Sequence, residues 1–137
     1  MGELIASADG LEAVTLFAED LPRTAAFYRD VLGLGQVFED DDSVVFRLGS
    51  TVVNVLRVQA APELVEPTPV GGPDAGPRVL LTVQVQDVDA VRAELAERGT
   101  APLNGPVDRP WGLRTMAVAD PAGHVWEFAA PLGQRTG

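Results

Sequence analysis

Residues 119–128 have the sequence ADPAGHVWEF, which predicts a tight turn that leads into a strand. Pro121 fixes φ near the value required at the second position of such a turn, and Gly123 tolerates a positive φ. The Asp120 carboxylate can accept hydrogen bonds from the turn amides. Residues 115–119 and 125–129 flank the turn and are mostly apolar. The whole stretch therefore predicts a β-hairpin.

The outgoing strand of this hairpin has two different faces, because successive side chains of a strand point to opposite sides. His124, Trp126 and Phe128 share one face, which is bulky enough to pack beneath a helix. Glu127 lies on the other face among small apolar neighbours. A carboxylate in that position needs a polar partner or access to water, so Glu127 is the first candidate for a functional residue.

The composition restricts the class of protein. A chain of 137 residues, 46% of them hydrophobic, fits one domain or two small halves that share a core. The absence of cysteine excludes thiolate metal sites and favours a reducing cytoplasm. No apolar run is long enough for a membrane span or a signal peptide. The net charge of −10 disfavours nucleic acid and anionic membranes as partners, so we expect a cytoplasmic protein that binds neither.

The predicted secondary structure repeats once along the chain. A strand, a helix that begins after Asp20 and three further strands form a βαβββ unit, and the same order recurs with a helix that begins after Asp87. A shift of 67 positions superimposes these two residues and also places Thr15 on Thr82. Such similarity indicates a duplicated module. The predicted boundaries are a flexible end at 1–10, modules at 11–58 and 79–130, an extended Pro- and Gly-rich linker at 59–78, and a flexible end at 131–137.

The duplicated module resembles the vicinal oxygen chelate superfamily, which includes glyoxalase I, extradiol dioxygenases, and the fosfomycin and bleomycin resistance proteins. The resemblance rests on VTLFAEDL at 14–21, AFYRDVLGL at 26–34, QDVDA at 86–90 and DPAGHVWE at 120–127, and it extends over 11–130. It implies an α+β fold of two βαβββ modules (the glyoxalase/bleomycin resistance fold), each a curved mixed sheet with a helix on its convex face. The concave side would form a cup, which is the candidate site.

Strand parity assigns side chains to this cup. If Gly49 and Ser50 form a two-residue hairpin turn, Arg47 and Asn54 face the cup, whereas a one-residue bulge would reverse the assignment. The candidate ligand-binding residues are Phe17, Phe38, Arg47, Asn54, Gln84, Trp111 and Glu127.

Two of these candidates have alternative roles. Trp111 follows Arg109 and Pro110, and its ring could stack on a ligand at the mouth of the cup or cover the core. Arg47 could bind a ligand carboxylate, or it could pair with Glu127 across the cup. The ion pair would neutralise a carboxylate whose unpaired burial is costly.

The resemblance also implies where a metal would bind, because metal-dependent members take ligands from the first and last strand of each module. The matching positions are Ala13, Asn54 (or Leu56), Leu80 and Glu127. Alanine and leucine have no donor atom, whereas zinc and iron sites need three or four donors. His124, the only histidine, lies on the opposite face of its strand from Glu127. We predict no metal or other cofactor, with a divalent ion at Glu127 and Asn54 as the alternative.

The predicted function is the binding of an antibiotic-like small molecule, aromatic or cationic, without any reaction. The resemblance to bleomycin resistance proteins implies this role in antibiotic resistance, and the acidic composition suits a cationic ligand. The alternative is a metal-dependent lyase, isomerase or dioxygenase in which Glu127 acts as a general base. A homodimer is expected, since an open cup exposes sheet edges and apolar surface. The long linker allows the modules to pair within one chain or between two chains.

Overall fold

The computed structural model describes residues 7–8 and 10–134. Of the two ends predicted to be flexible, residues 1–6, 9 and 135–137 lie outside the described residues. The first module contains β1 (Ala13–Ala18), α1 (Leu21–Ala26) continued by a π-helical turn (Phe27–Val31), β2 (Gly35–Glu39), β3 (Ser43–Leu48) and β4 (Thr51–Arg57). The linker contains α2 (Pro62–Val65). The second module contains β5 (Leu80–Gln84), α3 (Val88–Glu97), β6 (Asn104–Asp108), β7 (Leu113–Ala119) and β8 (Val125–Pro131).

Each module forms a four-stranded mixed sheet, and the predicted fold class is confirmed. The strand orders are β1-β4-β3-β2 and β5-β8-β7-β6. The first strand of each module runs parallel to the last strand, and the other neighbours are antiparallel. No helix in the described part of the chain is long and apolar enough to cross a membrane.

The two modules begin their helices with the same cap. The Asp20 side chain accepts a hydrogen bond from the Arg23 amide, and the Asp87 side chain accepts one from the Ala90 amide. Such a cap stabilises a helix by about 1 kcal/mol. The equivalent caps confirm the repeat that the shift of 67 positions predicted.

The linker differs from its prediction as an extended segment. It contains α2 and two 3-10 turns, at Val58–Ala60 and Pro73–Ala75. Pro62 and Pro73 each occupy a first-turn position of their short helix. Proline has the φ of a helix already fixed, and its missing N–H removes a donor that would have no partner there. The prolines therefore start helical turns in this segment, and the prediction of an extended chain was wrong at these positions.

The helix-facing sides of the two sheets meet in one hydrophobic core. Tyr28, in the π-helical turn after α1, is fully buried at their junction. Its ring centroid lies 5.9 Å from that of Phe46 in β3 and 6.0 Å from that of Trp126 in β8. Because this ring contacts the helix-facing side of both sheets, the opposite face of each sheet points away from the other module. Within one chain, the two modules therefore do not close into a single cup.

Three polar contacts join the modules through the 119–128 stretch. The Tyr28 hydroxyl donates to Asp120 Oδ2 at 2.6 Å, and Trp126 Nε1 donates to the Tyr28 hydroxyl at 2.9 Å. His124 Nε2 lies 2.8 Å from the carbonyl oxygen of Phe17. Asp120 is buried, and its Oδ1 also accepts from two turn amides. The hairpin turn therefore has a second role, because its hydrogen bonds hold the first module against the second.

Candidate ligand-binding faces

The side of the first sheet (β1–β4) that points away from the core is called open face 1. Thr15 pairs with Asn54, Asn54 with Val45, and Val45 with Phe38, so these four side chains form one row across the face. Leu48 pairs with Thr51, which confirms the predicted two-residue turn and the strand register that depended on it. Asn54 Nδ2 donates to Thr15 Oγ1 at 3.4 Å. Asn54 Oδ1 is buried and has no hydrogen-bond partner among the described residues.

Two further rows flank this one on open face 1. Ala13, Val52 and Arg47 form the row on one side, where Arg47 is exposed. Phe17 pairs with Leu56 in the row on the other side, and Phe17 is half-buried. The aromatic ring of Phe38 is 53% exposed at the edge strand β2. The amide of Asn54 therefore lies at the centre of open face 1, with the exposed guanidinium of Arg47 on one flank and the ring of Phe17 on the other. The ring of Phe38 lies at the β2 end of the central row.

The corresponding side of the second sheet (β5–β8) is called open face 2. Its central row contains Thr82, Glu127, Ala117 and Asn104. Thr82 Oγ1 donates to Glu127 Oε1 at 2.9 Å, so the carboxylate is held in one orientation. Gln84 is exposed in the next row. The Thr–Glu pair occupies the place that the Thr15–Asn54 pair occupies on open face 1, because the duplication gives both modules the same strand pairing.

Arg109 is a residue of open face 2 that the sequence did not single out. Its Nε donates to Thr115 Oγ1 at 2.9 Å, and its Nη2 donates to Asn104 Oδ1 at 3.4 Å. The guanidinium carbon lies 5.9 Å from the ring centroid of Trp111, which is cation–π range. An arginine two positions before a turn tryptophan could have suggested this contact. The position of the Arg109 side chain over the sheet depends on the register of β6 against β7. This register is irregular between Asn104 and Val107.

Trp111 does not cover the core, since it is 65% exposed. Its ring lies beside Arg109 on the β6–β7 connection, where an aromatic surface is available to a ligand. This exposure contradicts the core-cover role, while the stacking role of the residue stays a prediction.

The ion pair between Arg47 and Glu127, one of two alternatives for Arg47, does not form between the described residues within one chain. The two residues lie on open faces of different modules, and these faces point apart within the chain. Glu127 accepts its hydrogen bond from Thr82, and it is only half-buried. Access to water and a hydroxyl donor satisfy the carboxylate without a cation.

The residues at the implied metal positions do not fit a transition metal. Ala13 and Leu80 lie on the open faces and have no donor atom, while Asn54 and Glu127 belong to different modules. Over residues 7–8 and 10–134, no group of three His, Cys, Asp or Glu side chains is arranged to hold an ion. His124 is turned toward the Phe17 carbonyl, on the core side of β8. Zinc or iron would require three or four N, O or S donors around one point.

The fold and the two polar rows define a duplicated βαβββ protein with outward-facing sheets. The chain belongs to the Glyoxalase/Bleomycin resistance protein/Dioxygenase superfamily, whose family model matches residues 10–128. It is 30% identical over 120 residues to the uncharacterized protein YraH of Bacillus subtilis, a match that covers 84% of this chain and 93% of the relative.

Solved structures with the same fold come from several bacteria. A glyoxalase/bleomycin resistance protein/dioxygenase from Nocardioides matches with a TM-score of 0.81 at 21% identity, covering 94% of this chain and 87% of that one. A lactoylglutathione lyase from Agrobacterium tumefaciens matches with a TM-score of 0.73 at 24% identity, covering 90% and 94%. A glyoxalase-related enzyme from Fulvimarina pelagi matches with a TM-score of 0.76 at 26% identity, covering 90% and 88%.

We expect Trp111→Ala to change the free energy of unfolding by less than about 0.5 kcal/mol, because an exposed ring contributes little to the core. Chemical denaturation monitored by circular dichroism measures this change. Trp126→Ala is the matched control: Trp126 is 3% exposed, and its truncation should cost about 3–5 kcal/mol. A loss of several kcal/mol in Trp111→Ala would contradict the exposed position of the ring.

Proposed function

We propose that this protein binds a small polar aromatic molecule, antibiotic-like and cationic, in a cup formed by two copies of the chain, and that it holds the molecule without converting it. The observation that supports this proposal most is that the side chains of Ala13 and Leu80 are pure hydrocarbon and have no donor atom. These positions face the solvent on the open faces, where metal-dependent relatives would need donor atoms. The faces retain aromatic and hydrogen-bonding side chains, which suit binding rather than metal chemistry.

The edges of the two sheets support a homodimer. β1 and β5 are each one of the two edge strands of their sheets. Apolar side chains are exposed at or just before them, with Leu11 at 68%, Val79 at 65% and Leu80 at 52%. Free strand edges beside exposed apolar residues favour pairing with another strand. If β1 of one copy lies beside β5 of a second copy, the Thr15–Asn54 row and the Thr82–Glu127 row come together in one cup.

The dimer is expected to have twice the 14.5 kDa mass of the chain in light scattering after gel filtration. Leu80→Glu should shift this mass toward that of a monomer, because a charge at the free edge of β5 opposes association. Leu64→Glu is the matched control, since Leu64 is 64% exposed on α2, outside both sheets. A wild-type mass of one chain at tens of micromolar protein, or equal masses for both variants, would contradict the proposed pairing.

The chemistry of the two faces supports a ligand with an aromatic body and a hydrogen-bond donor. Phe17, Phe38 and Trp111 provide rings on which an aromatic ligand could stack. The buried oxygen of Asn54 has no hydrogen-bond partner among the described residues. Buried acceptors are nearly always satisfied, so a donor on the ligand would provide the missing hydrogen bond. Glu127 and the net charge of −10 favour a cation. Arg47 and Gln84, both exposed, could bind acceptor groups of the same ligand.

Metal analysis combined with thermal-shift screening tests this function. We expect no stoichiometric zinc, iron, nickel or manganese in the purified protein, and a rise in melting temperature with cationic aromatic antibiotics, since a ligand that binds only the folded state stabilises it. The ligand should be recovered unchanged after incubation. One equivalent of a transition metal bound at the open faces would overturn the proposal. Stabilisation by Mg²⁺ or Ca²⁺ that depends on Glu127 would favour the divalent-ion alternative instead.

Glu127→Gln is expected to weaken the binding of a cationic aromatic ligand about tenfold or more, because it removes a charged acceptor and keeps the shape of the side chain. Isothermal titration calorimetry measures the affinity. Glu12→Gln, which removes an exposed charge outside the strands, is the matched control and should leave the affinity within about twofold. Equal affinities of Glu127→Gln and the wild type would remove Glu127 from the site.

The second candidate function is a metal-dependent enzyme. Its support is the 26% identity to the glyoxalase-related enzyme of Fulvimarina pelagi, together with a carboxylate that Thr82 holds in place. In such an enzyme Glu127 would act as a general base. Product formation that appears only after a divalent metal is added, and disappears in Glu127→Gln, would favour this candidate over simple binding.

A further inference from the structure

A cavity of about 220 Å³ lies between the two modules on the helix-facing side of the sheets. It is separated from both open faces, because its walls include Trp126 and Phe128, which alternate along β8 with Glu127 of open face 2. The apolar walls come from the first module (Val31, Leu32, Leu34, Leu48) and from the second (Val83, Val91, Leu95, Trp126, Phe128). Glu94 and Arg98 of α3 complete the lining.

The buried polar side-chain atoms of the cavity wall all have a hydrogen-bond partner. Trp126 Nε1 is the only polar side-chain atom of the nine apolar wall residues, and it already donates to the Tyr28 hydroxyl. A water molecule in this space would find few hydrogen-bond partners, whereas a buried water normally makes about three hydrogen bonds. A closed apolar cavity of about 150 Å³ can hold benzene, so this space of about 220 Å³, which is partly open to solvent, is large enough for a ring of that size or slightly larger.

The two charged residues of the lining already have polar partners. Arg98 Nη1 donates to the Val31 carbonyl at 2.6 Å, and Arg98 Nη2 lies 4.0 Å from Glu94 Oε2. Their side chains are 42% and 69% exposed, so they stand at the solvent side of the cavity. A charged group that passed them would meet only apolar side chains deeper in the cavity, where it would lose its hydration without gaining a partner. The interior of the cavity therefore favours a neutral ligand.

From this lining, volume and entrance we propose that the cavity is a second binding site, for one small neutral aromatic molecule between benzene and indole in size. The site is distinct from the dimeric cup in chemistry and in position. It contacts both modules of one chain and needs no second copy. The proposal does not depend on the function assigned to the open faces.

Fluorescence of Trp126 tests the site directly. The chain has two tryptophans, so Trp111→Phe leaves Trp126 as the only indole. Iodobenzene quenches an indole on contact, and we expect saturable quenching of Trp126 with a half-effect below about 1 mM. Toluene, which has no heavy atom, should compete with iodobenzene and restore the emission. Quenching that rises linearly without saturation, or that toluene does not reverse, would overturn the proposal.

A cavity-filling variant gives the matched comparison in the Trp111→Phe background. Val91→Phe adds a ring to the cavity wall and should weaken the saturable quenching about tenfold or more, because the ligand and the new side chain compete for one space. Val37→Phe makes the same change on β2, where Val37 is 50% exposed, and should leave the quenching unchanged. Equal quenching in both folded variants would contradict the site. If Val91→Phe does not fold, the anomalous signal of iodine in crystals soaked with iodobenzene decides, by its presence or absence in the cavity.

Discussion

Asp120→Ala is expected to lower the free energy of unfolding by about 3–5 kcal/mol, as large a loss as that expected for Trp126→Ala. Asp120 is 5% exposed. Its Oδ1 accepts from the amides of Ala122 and His124 at 2.8 and 2.9 Å, and its Oδ2 accepts from the Tyr28 hydroxyl at 2.6 Å. Without the carboxylate, two turn amides and a buried phenol lose their acceptor. Each unsatisfied buried group costs about 1–3 kcal/mol.

Urea denaturation at one fixed protein concentration measures this loss. Asp41→Ala is the matched control, because Asp41 is exposed in the β2–β3 turn, and it should change the stability by less than about 0.5 kcal/mol. Asp120→Asn keeps one acceptor oxygen and should fall between the two alanine variants. A loss below about 1 kcal/mol in Asp120→Ala would show that the turn does not hold the modules together as its contacts indicate.

The stability of the wild-type protein is expected to fall above about pH 10, by up to about 1.4 kcal/mol per pH unit. Burial, followed by the charge of Asp120 and the hydrogen bond to it, raises the pKa of Tyr28 far above the usual value of 10.0. The folded state therefore keeps the phenol proton at a pH where the unfolded state releases it. Stability that depends on this proton is fully present below pH 10 and declines as the pH rises further.

The composition makes this alkaline effect easy to assign. Tyr28 is the only tyrosine, and all ten basic residues are arginines, which stay protonated beyond pH 12. No other side chain titrates between pH 10 and 12. Urea denaturation at pH 9, 10 and 11, with tyrosinate absorbance recorded in the same samples, measures the decline. We expect tyrosinate to appear together with unfolding and not before it.

Tyr28→Phe is the control for the same measurement. At pH 7 the variant should be less stable by about 1–3 kcal/mol, because Asp120 loses a donor and the buried Trp126 N–H loses its acceptor. Above pH 10 its stability should no longer decline, so the difference between the two proteins should shrink. Parallel decline of both proteins would exclude Tyr28 as the cause.

Much of the candidate site followed from local patterns in the sequence. Alternation along the last strand predicted that Glu127 and Trp126 lie on opposite faces, and the pairing of β8 with β5 and β7 confirms it. The two-residue turn before Thr51 predicted the register that brings Asn54 to open face 1. These predictions succeeded because strand parity and hairpin register depend on residues close together in the chain.

What the sequence did not predict depended on an irregular strand register or on the packing of the two modules. Arg109 was missed because its contact with Thr115 depends on the irregular register of β6 against β7. The pairing of Arg47 with Glu127, one alternative for a cup formed within one chain or between two, does not occur within one chain because the two open faces do not meet there. The resemblance to the family does not decide the assembly, since one family fold leaves both the ligand and the assembly open.

The sequence by itself determined the duplicated βαβββ modules, the caps of their helices, the face of each strand that carries Asn54 or Glu127, and the hydrocarbon at the positions where a metal would need donors. Only the tertiary structure decided which sides of the two sheets meet. Tyr28 and Asp120 are 92 positions apart, and nothing in the local pattern of either residue selects the other. Periodicity sets the direction of a side chain relative to its own strand or helix, whereas the packing of two modules depends on the shape and polarity of whole surfaces.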